Sequence, residues 1–170
     1  NLSASNETVG KDAYREDLIK STSARLIAGY VYSSAGEGES TQDLVFSGHN
    51  MIAENGTILA RASHFENESI YSEIDVQRLR HERRRMNTFL RNKEGYLYIP
   101  VHMDQTDTVL TRKYDGMPFV PSDEAKRNQR CDEILSIQSY GLKKRYEHIG
   151  CKSAVVGISG GLDSTLALLV

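Results

Sequence analysis

The run VVGISGGLDSTLALLV, residues 155–170, constrains the fold more than any other stretch of this chain. Small and apolar residues lead into Ser159, the adjacent glycines Gly160 and Gly161, then Leu162, Asp163 and Ser164, after which a second apolar run begins. The pattern predicts a short buried strand over KSAVVGIS, a tight turn, and a helix through STLALLV. A wholly apolar strand of this kind sits inside a parallel sheet. The expected context is therefore the opening of an α/β nucleotide fold.

The chemistry of the turn follows from its position. A helix entered from a strand has unpaired N–H groups in its first turn, and the macrodipole behind them favours an anion. Gly160 and Gly161 let the backbone approach a ligand with no Cβ in the way, and Ser159 and Ser164 add hydroxyls around the same point. Such a concavity suits phosphate oxygens. It is not the G-x-x-x-x-G-K-[ST] loop, because Asp163 stands where that loop has its lysine, and it is not G-x-G-x-x-G. An acid among phosphate donors is understandable if Mg²⁺ bridges it to the phosphates. A ligand-free glycine turn is the plain structural alternative.

Upstream, residues 12–28 carry Leu18, Ile19, Leu26 and Ile27 at mixed helical spacings and predict an amphipathic helix. GYVYSS follows as a strand, with Tyr30 and Tyr32 on one face and packed in the core. Asn55-Gly56 signals a hairpin through a type I′ turn, and SIYSEIDV reads as a further strand. QRLRHERRRMNTFL is helix-compatible and strongly basic; a solvated face or salt bridges to a neighbour explain it better than nucleic acid, since no aromatic residues interleave for stacking. All three prolines, Pro100, Pro118 and Pro121, fall in an irregular zone from about Leu90 to Asp123. A long helix is expected over 122–149, with Ser122 as N-cap, Ile134, Leu135, Ile137, Gln138, Gly141 and Leu142 on its buried side, and Gly150 just past its end. The expected organisation is 1–90, a connection at 91–121, and 122–170.

Composition narrows the function classes. A formal net charge of −2 gives no global attraction to nucleic acid or anionic membrane. No apolar run approaches the roughly 20 residues of a transmembrane helix. The start at Asn1 is neither a signal nor a transit peptide, and both ends read as truncations of a longer enzyme. Cys131 and Cys151 suggest a reducing, cytoplasmic setting without a disulfide framework. His49, His64, His81, His102 and His148 are scattered singly and are expected to be surface or packed residues.

SGGLDS, Ser159 to Ser164, resembles the pyrophosphate loop of the N-type ATP pyrophosphatases. The resemblance implies ATP and Mg²⁺ as cofactors, with Gly157, Ile158, Ser159, Gly160, Gly161, Leu162, Asp163 and Ser164 around the ATP phosphates and Asp163 on the metal. Further upstream, NLSASNETVGK, SARLIAGYVYSSAGEGESTQDLVFSGHNMIAENG and RRRMNTF are similar to the second half of the glutaminase domain of glutamine-dependent NAD⁺ synthetases. The similarity resumes in MPFVPSDEAKRNQRCDEI and IQSYGL, and so covers nearly the whole chain in order.

The resemblance implies a mixed α/β fold: the C-terminal half of an α-β-β-α nitrilase-like sandwich, then the start of a parallel-sheet ATP-pyrophosphatase domain. It implies a ligase that amidates deamido-NAD⁺ with ATP, using ammonia released from glutamine, and a homo-oligomer with neither nucleic acid nor membrane as partner. Ser5 and Lys11 match positions that contact glutamine in the family. A hydroxyl and a cation near an amino-acid carboxylate are chemically sensible. The family's Glu-Lys-Cys triad falls upstream of the position matching Asn1, so no catalytic residue is assigned and residues 1–170 alone are expected to be inactive. An RNA-modifying ATP pyrophosphatase and a non-catalytic homologue remain the alternatives.

Overall fold

The computed structural model describes residues 1–39, 42–88, 94–104, 106, 109 and 111–170. The chain is mixed α/β and forms two compact units, Asn1–Arg112 and Lys113–Val170. In the first, β1 (Leu2–Ser3), α1 (Lys11–Leu26), β2 (Gly29–Ser34), β3 (Met51–Glu54), β4 (Thr57–Arg61) and α2 (Val76–Arg85) follow in order. The strands make one sheet ordered β1-β2-β3-β4. β1 runs parallel to β2, with α1 as the crossover, while β2–β3 and β3–β4 are antiparallel.

The β3–β4 hairpin forms as Asn55-Gly56 predicts. Both residues take positive φ, 45° and 87°, the combination a type I′ turn requires. The turn also docks on the end of α1. Gly56 N–H donates to Ser23 Oγ, Asn55 N–H to Ala28 O, and Ser23 Oγ itself donates to Ala28 O. Ile19 of α1 packs on Tyr32, Met51 and Ala53, with Tyr30 and Ile58 at the margin of this cluster. The tyrosines of β2 are thus in or against the core, as expected.

Several expectations need correction. Of the four apolar residues only Ile19 is buried in α1, and it shares its stripe with Arg15 and Ser23; Leu18 and Leu26 are exposed. A strict i, i+4 spacing put a cation and a hydroxyl inside, which apolar periodicity does not register. SIYSEIDV forms no strand. Its residues run irregularly to Asp75, whose carboxylate accepts from Arg78 N–H and caps α2. The basic helix ends at Arg85, short of the expected segment, of which residues 89 and 90 lie outside the described residues. β1 is at the edge of the sheet among the described residues, with Leu2 exposed.

In the second unit, α3 spans Glu124–Ile149 and α4 spans Leu162–Leu169. Asp123, not Ser122, is the N-cap, accepting from Lys126 N–H at 2.8 Å; its carboxylate is the stronger acceptor for that amide. Gly150 closes the helix with φ 65°, the left-handed conformation glycine adopts without a Cβ penalty. No residue of α3 is buried; the half-buried stripe is Leu135, Ser139, Leu142 and Tyr146, so the expected core side is off by part of a turn. KSAVVGIS is exposed and forms no strand. A buried parallel strand needs hydrogen-bonding neighbours on its edges, and the described residues of this unit contain no other strand to provide them.

Candidate functional site

Ser5 and Lys11 come together. Ser5 lies on the loop leaving β1, Lys11 opens α1, and both line one cleft of about 290 Å³. One wall is the face of α1 bearing Lys11, Arg15 and Ile19; another is β2 with Tyr30 and Tyr32. Asn1 Nδ2 donates to Tyr30 Oη at 2.6 Å across one rim. Lys11 Nζ donates to Asn6 O at 2.6 Å and to Asn6 Oδ1 at 2.9 Å. An ammonium has three donors, so one remains for a ligand oxygen.

Against this cleft lies a polar network that the sequence did not single out. Glu7 Oε2 accepts from Arg15 Nη2 at 2.8 Å and from Ser47 Oγ at 2.5 Å. Arg15 Nη1 meets His49 Nδ1 at 3.1 Å, and the rings of His49 and His64 stack with centroids 3.9 Å apart. Since arginine can only donate, His49 Nδ1 accepts and the imidazole is the neutral Nε2–H tautomer. Arg15, Ser47 and His49 are buried. Arg15 Nε and His49 Nε2 are buried without a hydrogen-bond partner among the described residues.

The electrostatics of this network set an acid limit. Burial, then the charges of His64 and Arg15, push His49 down to about 4. For Glu7, burial works against the charge, but the bonds from Ser47 and Arg15 and the charge of Arg15 outweigh it and hold the carboxyl below its ordinary value. Both groups bind protons more readily unfolded than folded. Their stabilisation is therefore present at neutral pH and lost on acidification: through the window from 6.5 toward 4 for His49, and below 4.5 for Glu7. Lowering the pH from 7 to 4.5 is expected to cost the first unit on the order of 2 kcal/mol through His49 alone. Denaturant melts of the wild type and of His49→Gln check this; the variant's stability should fall less with acid.

In the second unit the glycine loop lies open to solvent. Gly160 takes φ 82°, and a Cβ added there or at Gly157 would meet nothing within 4 Å. Gly161 is the residue before α4 and has no side-chain cap bond. Ser164 Oγ donates to Gly161 O at 3.1 Å and lies 3.3 Å from Ser159 N and from Ser159 Oγ. Thr165 Oγ1 also donates to Gly161 O, at 2.9 Å. The two serines thus fold the loop on itself, and Ser159 Oγ also accepts from Gly161 N–H at 3.4 Å. Asp163 stands exposed in that first turn. No group of three or more His, Cys, Asp or Glu able to hold a metal occurs among the described residues.

Comparison with known proteins favours one of the open alternatives. The chain is 41% identical, over its full length, to the glutamine-dependent NAD(+) synthetase of Mycobacterium tuberculosis and to that of Mycobacterium leprae. By sequence it is homologous to part of the glutamine-dependent NAD(+) synthetases. It spans about 27% of the length of those relatives. Among solved structures, a glutamine-dependent NAD(+) synthetase from Cytophaga hutchinsonii matches at 30% identity over 39% of this chain and 12% of that one. Its TM-score of 0.37 is too low to establish a shared fold. No protein-family model matches the chain.

The basic segment of α2 has a structural role. Arg83 donates from Nε to Ile27 O at 2.9 Å and from Nη2 to Leu26 O at 3.0 Å, capping the end of α1. Among the described residues no helix is long and apolar enough to cross a membrane. The residues of the network beside the cleft that sequence reasoning did not single out for the site are Glu7, Arg15, Ser47 and His49. A cation among apolar positions of α1, at i+4 from Lys11, was the one signal that pointed to them.

Proposed function

We propose that this chain is part of a glutamine-dependent NAD⁺ synthetase, a ligase that amidates deamido-NAD⁺ with ATP and with ammonia taken from glutamine. The observation that carries this is the 41% identity over the whole chain. The finer fold proposed is the end of a nitrilase-like glutaminase sandwich in residues 1–90, a connection at 91–121, and the start of an ATP-pyrophosphatase domain in 122–170. The enzyme is proposed to be cytoplasmic and a homo-oligomer. Its glutamine binds in the cleft of Ser5 and Lys11, where the spare Lys11 donor and the Ser5 hydroxyl take the amino-acid carboxylate.

Gly157 to Ser164 hold the ATP phosphates: the first amides of α4 and the hydroxyls of Ser159 and Ser164 donate to phosphate oxygens. One exposed carboxylate, Asp163, in the first turn of α4 fits Mg²⁺, which binds through one or two carboxylates plus phosphate oxygens and water. Bound there, the ion would neutralise charge on the departing pyrophosphate. In the reaction the carboxylate of deamido-NAD⁺ attacks the α-phosphorus and pyrophosphate leaves. Ammonia then attacks the acyl carbon, AMP leaves with the bonding pair, and a proton is lost from nitrogen.

The test uses the full-length protein with deamido-NAD⁺, Mg·ATP and glutamine, and separates the nucleotide products. NAD⁺ and AMP are expected in equal amounts, with no turnover from residues 1–170 alone. AMP without NAD⁺, or no AMP, would overturn the proposal.

A further inference from the structure

We propose that Glu7 is a positioning residue for the glutamine site: through Arg15 and Ser47 it locks the loop that carries Ser5 and leads into Lys11. This rests on the assignment of that cleft to glutamine and adds the group that sets its geometry.

The loop between β1 and α1 has little of its own to hold it. It runs from Ala4 to Gly10 with no strand partner and enters α1 through Gly10, whose φ of 81° puts no side chain at the cap. Its fixed points are few. Glu7 N–H donates to Val45 O at 2.6 Å, and Lys11 N–H to Thr8 O at 3.1 Å. Besides these and the Lys11 bonds to Asn6, the anchor is the Glu7 carboxylate, which binds two elements at once: α1 through Arg15, and the segment before β3 through Ser47. Glu7 sits two residues after Ser5 and four before Lys11, so displacement of Glu7 moves both.

The charges make the same point. Lys11 and Arg15, one turn apart, both line the cleft. Arg15 is bound through its two terminal nitrogens to Glu7 and His49, and its unpartnered Nε is buried. Lys11, half-buried, is the more accessible cleft cation with a donor to spare. Its other two donors are engaged by Asn6, the residue adjacent to Glu7. Fixing Glu7 therefore fixes Asn6, and Asn6 aims Lys11. A misplacement of order 1 Å in such a group weakens substrate binding severely.

The experiment measures glutamate release by the full-length enzyme against glutamine concentration, with the KM for ATP in parallel. Glu7→Leu is expected to raise the KM for glutamine about tenfold, with kcat and the KM for ATP within about twofold. Glu7→Gln, whose amide oxygen can accept from Arg15 and Ser47 in the same place, should restore the KM to within about threefold of wild type. A general folding defect would lower kcat or disturb ATP as well. Should Glu7→Leu fail to fold, Ser47→Ala decides, with an expected two- to threefold rise, roughly, in the same KM. A folded Glu7→Leu with unchanged or lowered KM, or failing that an unchanged KM in Ser47→Ala, overturns the proposal. Lys11→Ala separates the two levels. If it also leaves the KM for glutamine unchanged, the cleft is not the glutamine site; if it raises the KM while the Glu7 and Ser47 variants do not, only the positioning role fails.

Discussion

Asp163→Asn in the full-length enzyme is expected to lower the rate of AMP formation by about two orders of magnitude, with little change in the KM for glutamine. The substitution keeps size and shape and removes the one charge in the first turn of α4. Asp163 is exposed and makes no ion pair with another described residue. Its effect on folding should therefore be limited to the loss of a favourable charge at the positive end of the helix, a few tenths of a kcal/mol, roughly. A large kinetic loss with an unchanged melting temperature would mark Asp163 as a group that acts on the phosphates. Undiminished AMP formation would remove it from the site. Added Mg²⁺ should recover part of the loss if the carboxylate acts by holding the ion, which gives the same variant a second readout.

The largest effect on stability is expected at Arg112. Its Nη1 donates to Glu54 Oε2 at 2.8 Å, and Glu54 is 2% exposed at the end of β3. Glu54 Oε2 also accepts from Asp75 N–H at 2.6 Å. Beside it, Glu73 accepts from the backbone N–H groups of Thr111 and Arg112 and from the Thr111 hydroxyl. These bonds, from Thr111 first, hold the Glu73 carboxyl below its ordinary value. Arg112→Met would leave the Glu54 carboxylate buried with its guanidinium partner gone, at a cost of about 3–5 kcal/mol. Urea denaturation followed on the first unit measures it. The double variant Glu54→Gln, Arg112→Met should recover part of that loss, because the uncompensated charge is then absent. A loss below about 1 kcal/mol for Arg112→Met would mean the pair is already solvated.

What the sequence revealed and what it hid divide along the range of the interactions. Asn55-Gly56, the helix through Ile19 and the stop at Gly150 depend on residues a few positions apart, and each formed as its local chemistry requires. SIYSEIDV has the composition of a strand, yet Glu73 and Asp75 serve to anchor Thr111 and Arg112 and to cap α2. Those partners lie far along the chain or on the following helix. KSAVVGIS is apolar enough for a buried strand, but a strand exists only where others pair with it. The cleft shows the same division. The resemblance singled out Ser5 and Lys11, which lie in one short motif and line one cleft, whereas Glu7, Arg15, Ser47 and His49 are joined across separations of up to 40 residues. Single histidines and serines spaced that widely carry no pattern until the sheet brings them together.

Arg83 closes the last turn of α1 from 56 residues further along. On a ribosome, that helix leaves the exit tunnel long before its cap exists. At ordinary elongation rates the carbonyls of Leu26 and Ile27 would wait roughly 3–11 s for the guanidinium that satisfies them. Until α2 is made, the C-terminus of α1 lacks the side chain that closes it in the folded chain.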